Sequence, residues 1–148
     1  MHKPILLDSG VISQITHPKN YPDTKKWFER MLDANITVYI SEASDYEARR
    51  GFIARDLTNS LNRLEWLNSL CTYLSITTPI MRQAAQMWAQ AKKGGYSTAD
   101  VRELDFDIII AAHILEVGAI VVTTNVGHLL RYVEAKNWNE IEPADLSM

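Results

Sequence analysis

The sequence predicts a three-layer α/β/α domain with a central parallel sheet of four to five strands. Short apolar runs have the character of buried strands, and stretches with apolar residues at helical spacing separate them. Strands that alternate with helices favour parallel pairing, because each helix returns the chain to the same edge of the sheet. The length of 148 residues is near the commonest domain size. We therefore expect residues 1–148 to form a single domain.

The predicted strands are short apolar or β-branched runs. The first, residues 5–8, is an apolar run that ends in an acid. Residues 36–40 are rich in β-branched side chains, and residues 119–123 have the continuous apolar character of a strand buried on both faces. Weaker signals predict a strand at residues 71–76 and an edge strand at residues 133–138.

Helical patterns fill the intervals between these strands. Gly10 is expected to let the chain turn after the first strand, whereas Ser41 is expected to open a helix that Gly51 closes. The glycine-rich segment 94–98 is a candidate loop on the substrate side. Helices are predicted at residues 23–32, 41–50, 56–70, 79–93, 105–117 and 126–130.

Composition and charge limit the classes of function. Apolar residues make up 47% and charged residues 22%, which excludes a disordered chain. The longest apolar stretch, residues 108–122, is interrupted by polar residues and is too short to cross a bilayer. A net charge of −3 argues against a broad basic surface for nucleic acid, although a bound cation would reverse the local field. With a single cysteine and no secretory signal, the chain is expected to be cytoplasmic, without membrane contact.

Carboxylates lie near one edge of the predicted sheet. Asp8 ends the first strand, Glu47 lies on the helix after the second strand, and Asp105 and Asp107 open the helix before strand 119–123, which Asn125 follows. Oxygen ligands gathered from separate elements suit Mg²⁺ or Mn²⁺. Such a cation polarises a scissile phosphate and lowers the pKa of an attacking water. The sequence therefore predicts metal-assisted hydrolysis of a phosphoester.

Each carboxylate also has a structural explanation. Asp8 fits a helix N-cap, although an acid that closes a buried strand is costly without a partner. Residues 44–47 fit a capping box that ends at Glu47. Asp105 fits the N-cap of its helix, and the helix dipole favours Asp107 in the first turn. The prediction of a site therefore rests on the joint placement of the acids.

The basic residues near these acids have both a functional and a structural interpretation. Arg49 and Arg50 follow Glu47 on its helix and are candidates for contacts with an RNA backbone, yet the end of a helix favours cations in any case. His113 lies on an apolar helix face and is interpreted as a buried, hydrogen-bonded residue. The sequence has no zinc-type spacing of His and Cys and no phosphate-binding glycine loop.

Four segments stand in an order that resembles a known family. They are LLDSGVIS at residues 6–13, ISEASDYEARRG at residues 40–51, DIIIAA at residues 107–112 and VTTNVGHL at residues 122–129. Together they resemble the PIN domain family, and within it the VapC-type toxin ribonucleases of toxin–antitoxin systems. The likeness spans nearly the whole chain, and it implies the PIN-like version of the predicted fold.

The resemblance implies a function and a set of site residues. Asp8, Glu47 and Asp107 would hold Mg²⁺ or Mn²⁺, and Asn125 would contribute at the fourth position, with Asp105 in support. The expected reaction is hydrolysis of single-stranded RNA. The expected partners are an antitoxin, which inserts a segment into the active site, and a second copy of the chain in a homodimer. The low-ranking candidates for contacts with RNA are Ser9, Arg49, Arg50 and Thr123.

Two departures from the family pattern leave alternatives open. Family members often read Asp-Thr-Asn at the first motif, whereas this chain has Gly10 in the third position. The last motif often carries an aspartate where this chain has Asn125 or His128, so a fourth acid is missing unless Asp105 supplies it. The alternatives are a weakened module that binds RNA or protein, and a nuclease or phosphatase that acts on DNA or small phosphoesters.

Overall fold

The sheet has five parallel strands in the order β3-β2-β1-β4-β5. It is seen in a computed structural model that describes residues 1–95, 101–126 and 133–148. The predicted parallel α/β fold is thereby confirmed, although the strands differ from the predicted ranges by a few residues. They are β1 (Ile5–Leu7), β2 (Val38–Ser41), β3 (Thr72–Leu74), β4 (Ile120–Thr123) and β5 (Ala135–Asn137).

Six α-helices and two short 3-10 helices surround the sheet in the described part of the chain. No described helix has the length and apolar character needed to span a membrane. The α-helices are α1 (Ser9–Thr16), α2 (Pro22–Asp33), α3 (Glu42–Ala54), α4 (Thr58–Leu70), α5 (Thr78–Lys93) and α6 (Val101–Val117), and the 3-10 helices are Trp138–Glu140 and Pro143–Leu146.

The central strands send alternate side chains to the two faces of the sheet. Leu7 and Val122 belong to a core cluster built with α1, α2 and α4, whereas Leu6 and Val121 belong to a second cluster built with α5 and α6. All four side chains are fully buried. This alternation follows from the period of two along a strand, and it produces the predicted three layers.

The strand order changes direction at the boundary between β1 and β4. The chain moves outward from β1 to β2 and β3, and then crosses back to β4 and β5 on the other side of β1. Strands β1 and β4 pair directly, with Leu7 opposite Val122. In open parallel sheets such a switch point leaves a crevice beyond the carboxyl ends of the strands, where ligands bind. Residues that directly follow these two strands therefore lie at the favoured place for a site.

Helix α1 was absent from the sequence-based prediction. Gly10 was expected to mark a turn, but the chain enters a helix at Ser9, because the Asp8 side chain accepts a hydrogen bond from the Ser9 amide as an N-cap. Val11 and Ile15 lie on the buried face of this helix. Their spacing of four residues was the available signal, and the burial they gain outweighs the weak helix propensity of glycine.

Two predicted helix ends were also wrong. Helix α3 continues through Gly51 to Ala54, because the extra turn places Phe52 in the core. Helix α6 begins at Val101, so Asp105 and Asp107 stand inside the helix and not at its start. Within the predicted helix at residues 126–130 and the predicted loop at residues 94–98, residues 127–130 and 96–98 lie outside the described part of the chain.

Candidate active site

Asp8 lies at the end of β1, beside the end of β4. Its backbone amide donates to the carbonyl oxygen of Val122 over 2.9 Å. Its Oδ1 accepts from the Ser9 amide over 2.8 Å, and its Oδ2 accepts from the Thr123 hydroxyl over 2.8 Å. Both carboxylate oxygens are therefore held in place from two different elements, the N-terminus of α1 and the end of β4.

The surroundings of Asp8 disfavour its negative charge. Desolvation by burial raises the pKa of the Asp8 carboxyl above its ordinary value, and the hydrogen bonds from Thr123 and Ser9 lower it by less. A cation close to a buried carboxylate favours the ionised form. The site at Asp8 is therefore one where a bound divalent ion would offset the cost of burial.

Thr123 links Asp8 to the loop that follows β4. Its side chain is fully buried, and its hydroxyl oxygen accepts from the Asn125 amide over 3.0 Å while it donates to Asp8. The structure thus places Thr123 behind the carboxylate, where it positions Asp8. Asn125 is exposed in the same loop, next to the site.

Gly10 is in close contact with the residue after Thr123. A Cβ atom on Gly10 would lie 2.4 Å from Oγ1 of Thr124, closer than two such atoms approach without a shift. The side chain of Thr124 therefore occupies the space that a larger residue at position 10 would need. This contact disfavours a larger residue at position 10 as long as Thr124 keeps this side-chain orientation, and the sequence alone gave no signal of it.

Helices α3 and α6 pack in an antiparallel arrangement that carries the other two predicted ligands. Near one end the Ser41 hydroxyl and Nδ1 of His113 are 2.9 Å apart, and further along the ring centroids of Tyr46 and Phe106 are 5.7 Å apart. Tyr46 directly precedes Glu47, and Phe106 directly precedes Asp107. The helix pair therefore brings these two segments of the chain together.

The structural explanations for these acids do not hold. Ser41 is the N-cap of α3, so residues 44–47 lie within the helix and are not a capping box for its start. Asp105 is not the N-cap of α6, because that helix begins at Val101. Glu47 and Asp107 are both half-buried. Their carboxylates therefore remain candidates for chemistry.

Asp105 and Asp107 point to different sides of α6. Asp105 is exposed and lines a largely apolar pocket of about 410 Å³ between α5 and α6, together with Met81 and Trp88. Residues two positions apart on an α-helix project about 200° from each other. The structure therefore does not bring Asp105 together with Asp107, and the sequence spacing already contained this signal.

The spacing of the acids limits how a metal ion could be held. Across residues 1–95, 101–126 and 133–148, no three His, Cys, Asp or Glu side chains are grouped closely enough to hold a metal ion together. Mg²⁺, however, is usually held by one or two carboxylates and several waters. The oxygen-rich surroundings of Asp8, whose buried carboxylate favours a cation, fit such an ion.

The two predicted arginine contacts differ in their surroundings. Arg49 forms ion pairs with Asp45 over 3.1 Å and with Glu65 over 2.6 Å, so its guanidinium is engaged in a network on the surface of α3 and α4. The guanidinium of Arg50 lies over the rings of Tyr46 and Phe106. Arg50 is therefore the one of the two that stands between the segments carrying Glu47 and Asp107.

His113 is confirmed as a buried, hydrogen-bonded residue. Its side chain is fully buried, and Nε2 lies 3.1 Å from the carbonyl oxygen of Ser75 while Nδ1 contacts Ser41. The carbonyl can only accept, so Nε2 donates to it and Nδ1 accepts from the Ser41 hydroxyl. His113 thus connects α6 to the start of α3 and to the segment after β3.

Comparisons with known proteins agree on the fold. The sequence pattern of the PIN domain matches residues 5–133, whereas no curated protein matches the chain significantly. FitAcB from Neisseria gonorrhoeae is 25% identical, with 93% of this chain and 99% of that chain covered and a TM-score of 0.72. VapBC2 from Rickettsia felis, bound to a DNA fragment from its promoter, is 17% identical, with 90% and 98% covered and a TM-score of 0.74. VapC20 from Mycobacterium tuberculosis, described as a Sarcin-Ricin loop cleaving toxin, is 13% identical, with 88% and 97% covered and a TM-score of 0.62.

Proposed function

The chain belongs to the PIN domain family, and we propose that it is a metal-dependent endoribonuclease that cleaves single-stranded RNA as the toxin of a toxin–antitoxin pair. The observation that carries the proposal is the Asp8 carboxylate, which is half-buried at the switch point of the sheet and held by Thr123 and Ser9. Its N-cap bond to Ser9 stabilises α1, but a neutral asparagine or serine would cap the helix as well without the cost of a desolvated charge. A role in binding a cation at the reacting phosphate accounts for it.

In this proposal Asp8 holds Mg²⁺ or Mn²⁺ together with bound waters. Glu47 and Asp107 are the other acids proposed for the ion, although the described residues do not group the three closely, and Asn125 contributes from the loop after β4. When bound, the cation supplies Lewis-acid polarisation of the phosphodiester. Thr123 and Ser9 keep the Asp8 oxygens in one orientation, since each donates a hydrogen bond to a different oxygen. Asp105 is left out of the set, because its side chain lines the pocket between α5 and α6.

The neighbours' descriptions support the substrate and the partner. VapC20 is described as a Sarcin-Ricin loop cleaving toxin, and we propose RNA as the substrate of this chain. The VapBC2 structure and FitAB bound to the IR36 DNA fragment support an antitoxin as partner of this chain. We propose that this chain likewise pairs with an antitoxin that covers its active site, and that it forms a homodimer.

Substrate profiling tests the proposal. An unstructured RNA, the DNA of the same sequence and a small phosphodiester are incubated with the protein and Mn²⁺ or Mg²⁺, and products are separated by gel electrophoresis. Cleavage of the RNA alone, stopped by a chelator, is the expected result. Cleavage confined to DNA or to the small phosphodiester would instead support a nuclease or phosphatase that acts on DNA or small phosphoesters. Glu47→Gln and Asp107→Asn should each reduce RNA cleavage, whereas the exposed Asp33→Asn serves as a matched control that should not.

A second candidate function is a binding module with a weakened site. It is favoured by the lack of a three-residue acidic group among the described residues. Isothermal titration with Mn²⁺ separates the two functions. Binding that is lost in Asp8→Asn supports the nuclease, whereas no binding in either protein supports the binding module.

A further inference from the structure

Three side chains form a cluster between helices α3 and α6. The guanidinium carbon of Arg50 lies 5.3 Å from the centroid of the Tyr46 ring and 4.9 Å from that of Phe106. The two ring centroids are 5.7 Å apart with an interplanar angle of 38°. We name Tyr46, Arg50 and Phe106 the aromatic platform.

Two residues of the platform are adjacent in sequence to acids assigned to the site. Tyr46 is followed in sequence by Glu47, and Phe106 is followed by Asp107. The Tyr46 residue is 53% exposed, so a large part of its surface is accessible to a ligand. Arg50 is exposed as well, whereas Phe106 is half-buried. A cationic plane and a tyrosine ring are therefore open to a ligand next to the candidate carboxylates.

A purely structural role accounts for only part of this arrangement. Arg50 joins the two helices through its contacts with both rings, but α3 and α6 are already joined by the buried bond between Ser41 and His113. Exposed cation–π contacts contribute little to stability, so the platform is not required to hold the two helices together. The structural role predicts a loss of stability without a change in RNA affinity when Tyr46 is removed.

We propose that the aromatic platform stacks one unpaired nucleobase of the RNA beside the cleaved phosphodiester. This inference rests on the proposed ribonuclease function. Every nucleobase has a π-face that stacks on an aromatic ring or a guanidinium plane, and the charge of Arg50 also attracts the RNA backbone. Because stacking does not distinguish one base from another strongly, the platform orders a single strand at the site with little sequence preference.

The test measures binding of a short unstructured RNA to proteins that carry Asp8→Asn, so that the RNA is not cleaved. Tyr46→Ala should weaken binding about tenfold, and Tyr46→Trp should restore it, because base–aromatic stacking is sequence-tolerant. Arg50→Lys, which keeps the charge and loses the plane, should weaken binding by less than Arg50→Ala. Trp66→Ala is the matched control, since Trp66 is 47% exposed and Arg63 lies 5.7 Å from its ring centroid on α4.

An abasic scan assigns the effect to a base. One abasic nucleotide is moved through the RNA, and affinity is measured for the protein with Tyr46 and for Tyr46→Ala. The proposal expects one position at which the missing base weakens binding to the first protein and leaves binding to the second unchanged. Equal sensitivity of both proteins at every position would overturn it, as would an unchanged RNA affinity of Tyr46→Ala, which assigns the platform to packing or to a protein contact.

Failure of the platform and failure of the nuclease function are distinguishable. In the protein that retains Asp8 and therefore cleaves RNA, Tyr46→Ala should raise KM by about tenfold with a smaller change in kcat. If Tyr46→Ala cleaves RNA with an unchanged KM, the stacking role of the aromatic platform is wrong and the ribonuclease function is unaffected. If the protein with Asp8 and Tyr46 intact cleaves no RNA with Mn²⁺ or Mg²⁺, the ribonuclease function itself is wrong.

Discussion

The Thr123 hydroxyl donates a hydrogen bond of 2.8 Å to Oδ2 of Asp8, so the last residue of β4 holds the acid that follows β1. The two strands are neighbours at the switch point of the sheet. Thr123 is itself fully buried, and its oxygen also receives the Asn125 amide. A single side chain therefore couples the position of the candidate ligand to the conformation of the loop beside it.

Removing this hydroxyl should cost stability and metal affinity. Thr123→Val keeps the shape of the side chain but leaves Asp8 and the Asn125 amide each without one partner. We expect a loss of about 1–3 kcal/mol in the free energy of unfolding, together with weaker Mn²⁺ binding. Urea unfolding and calorimetry measure the two effects, and Thr123→Ser should retain most of both. A Thr123→Val protein as stable as its parent would contradict the assigned role.

The buried charge of Asp8 should be visible in the pH dependence of stability. Because burial raises the pKa of Asp8 above the ordinary value of 3.8, the folded state binds the proton more tightly than the unfolded state does. The free energy of unfolding therefore falls as pH rises from about 3.8 through the folded-state pKa. Asp8→Asn lacks this loss. With a chelator present, the free energy of unfolding of Asp8→Asn minus that of its parent should therefore be larger at pH 7 than at pH 4.

The comparison is made by urea unfolding at the two pH values. Asp33→Asn is the control, since Asp33 is exposed and its substitution should give the same difference at both pH values. The free energy of unfolding of Asp8→Asn minus that of its parent should grow from pH 4 to pH 7. If it does not, the Asp8 charge is not destabilising.

The contact between Gly10 and Thr124 should determine whether Gly10→Ala lowers or raises the free energy of unfolding. Gly10→Ala places a Cβ atom 2.4 Å from Oγ1 of Thr124, so it should destabilise the protein by about 1–3 kcal/mol. In the Thr124→Ala background the obstacle is gone, and alanine should stabilise the helix by up to about 1 kcal/mol relative to glycine. A double-mutant cycle measured by urea unfolding tests this coupling. The same sign in both backgrounds would rule the contact out as the reason for glycine.

Arg49 and Arg50 should separate stability from RNA affinity. Arg49 pairs with the buried Asp45, which also accepts from Asn68 and Tyr73, and the bonds to Asp45 raise the pKa of Arg49 most. Arg49→Ala should therefore cost about 1–3 kcal/mol of stability. Arg50→Ala should change stability by about 0.5 kcal/mol at most and weaken RNA binding more than Arg49→Ala does. Urea unfolding and RNA binding measure both, and the reverse order would assign the substrate contact to Arg49.

Local sequence patterns were sufficient to predict most of the fold. The short apolar runs around Leu6, Ile40 and Val121 were sufficient to predict a parallel sheet, because strands buried on both faces have few polar residues. Helix α1 was missed since Gly10 resembles a turn signal, and the N-cap that overrides it is Asp8, a residue interpreted as a ligand. A residue that fits both a cap and a ligand is difficult to assign from sequence alone.

The site was only partly predictable for a different reason. Asp8 could be proposed because it ends an apolar strand, which a pattern records, whereas Glu47 and Asp107 lie within helices and stay predictions. The contact between Gly10 and Thr124 joins residues far apart in the chain, as does the stacking of Tyr46 with Phe106. Such pairs depend on the packing of whole elements, and a single sequence contains no direct signal of that packing.

Metal-dependent cleavage of RNA by the parent protein and by Asp8→Asn tests the central claim most directly. The parent should cleave an unstructured RNA with Mn²⁺ and stop in chelator, and Asp8→Asn should be slower by on the order of a hundredfold or more, since the lost ion contributes several kcal/mol to the transition state. Folding is checked on the same samples by urea unfolding. Equal cleavage rates for two folded proteins would contradict the assignment of Asp8 as a ligand of the catalytic metal.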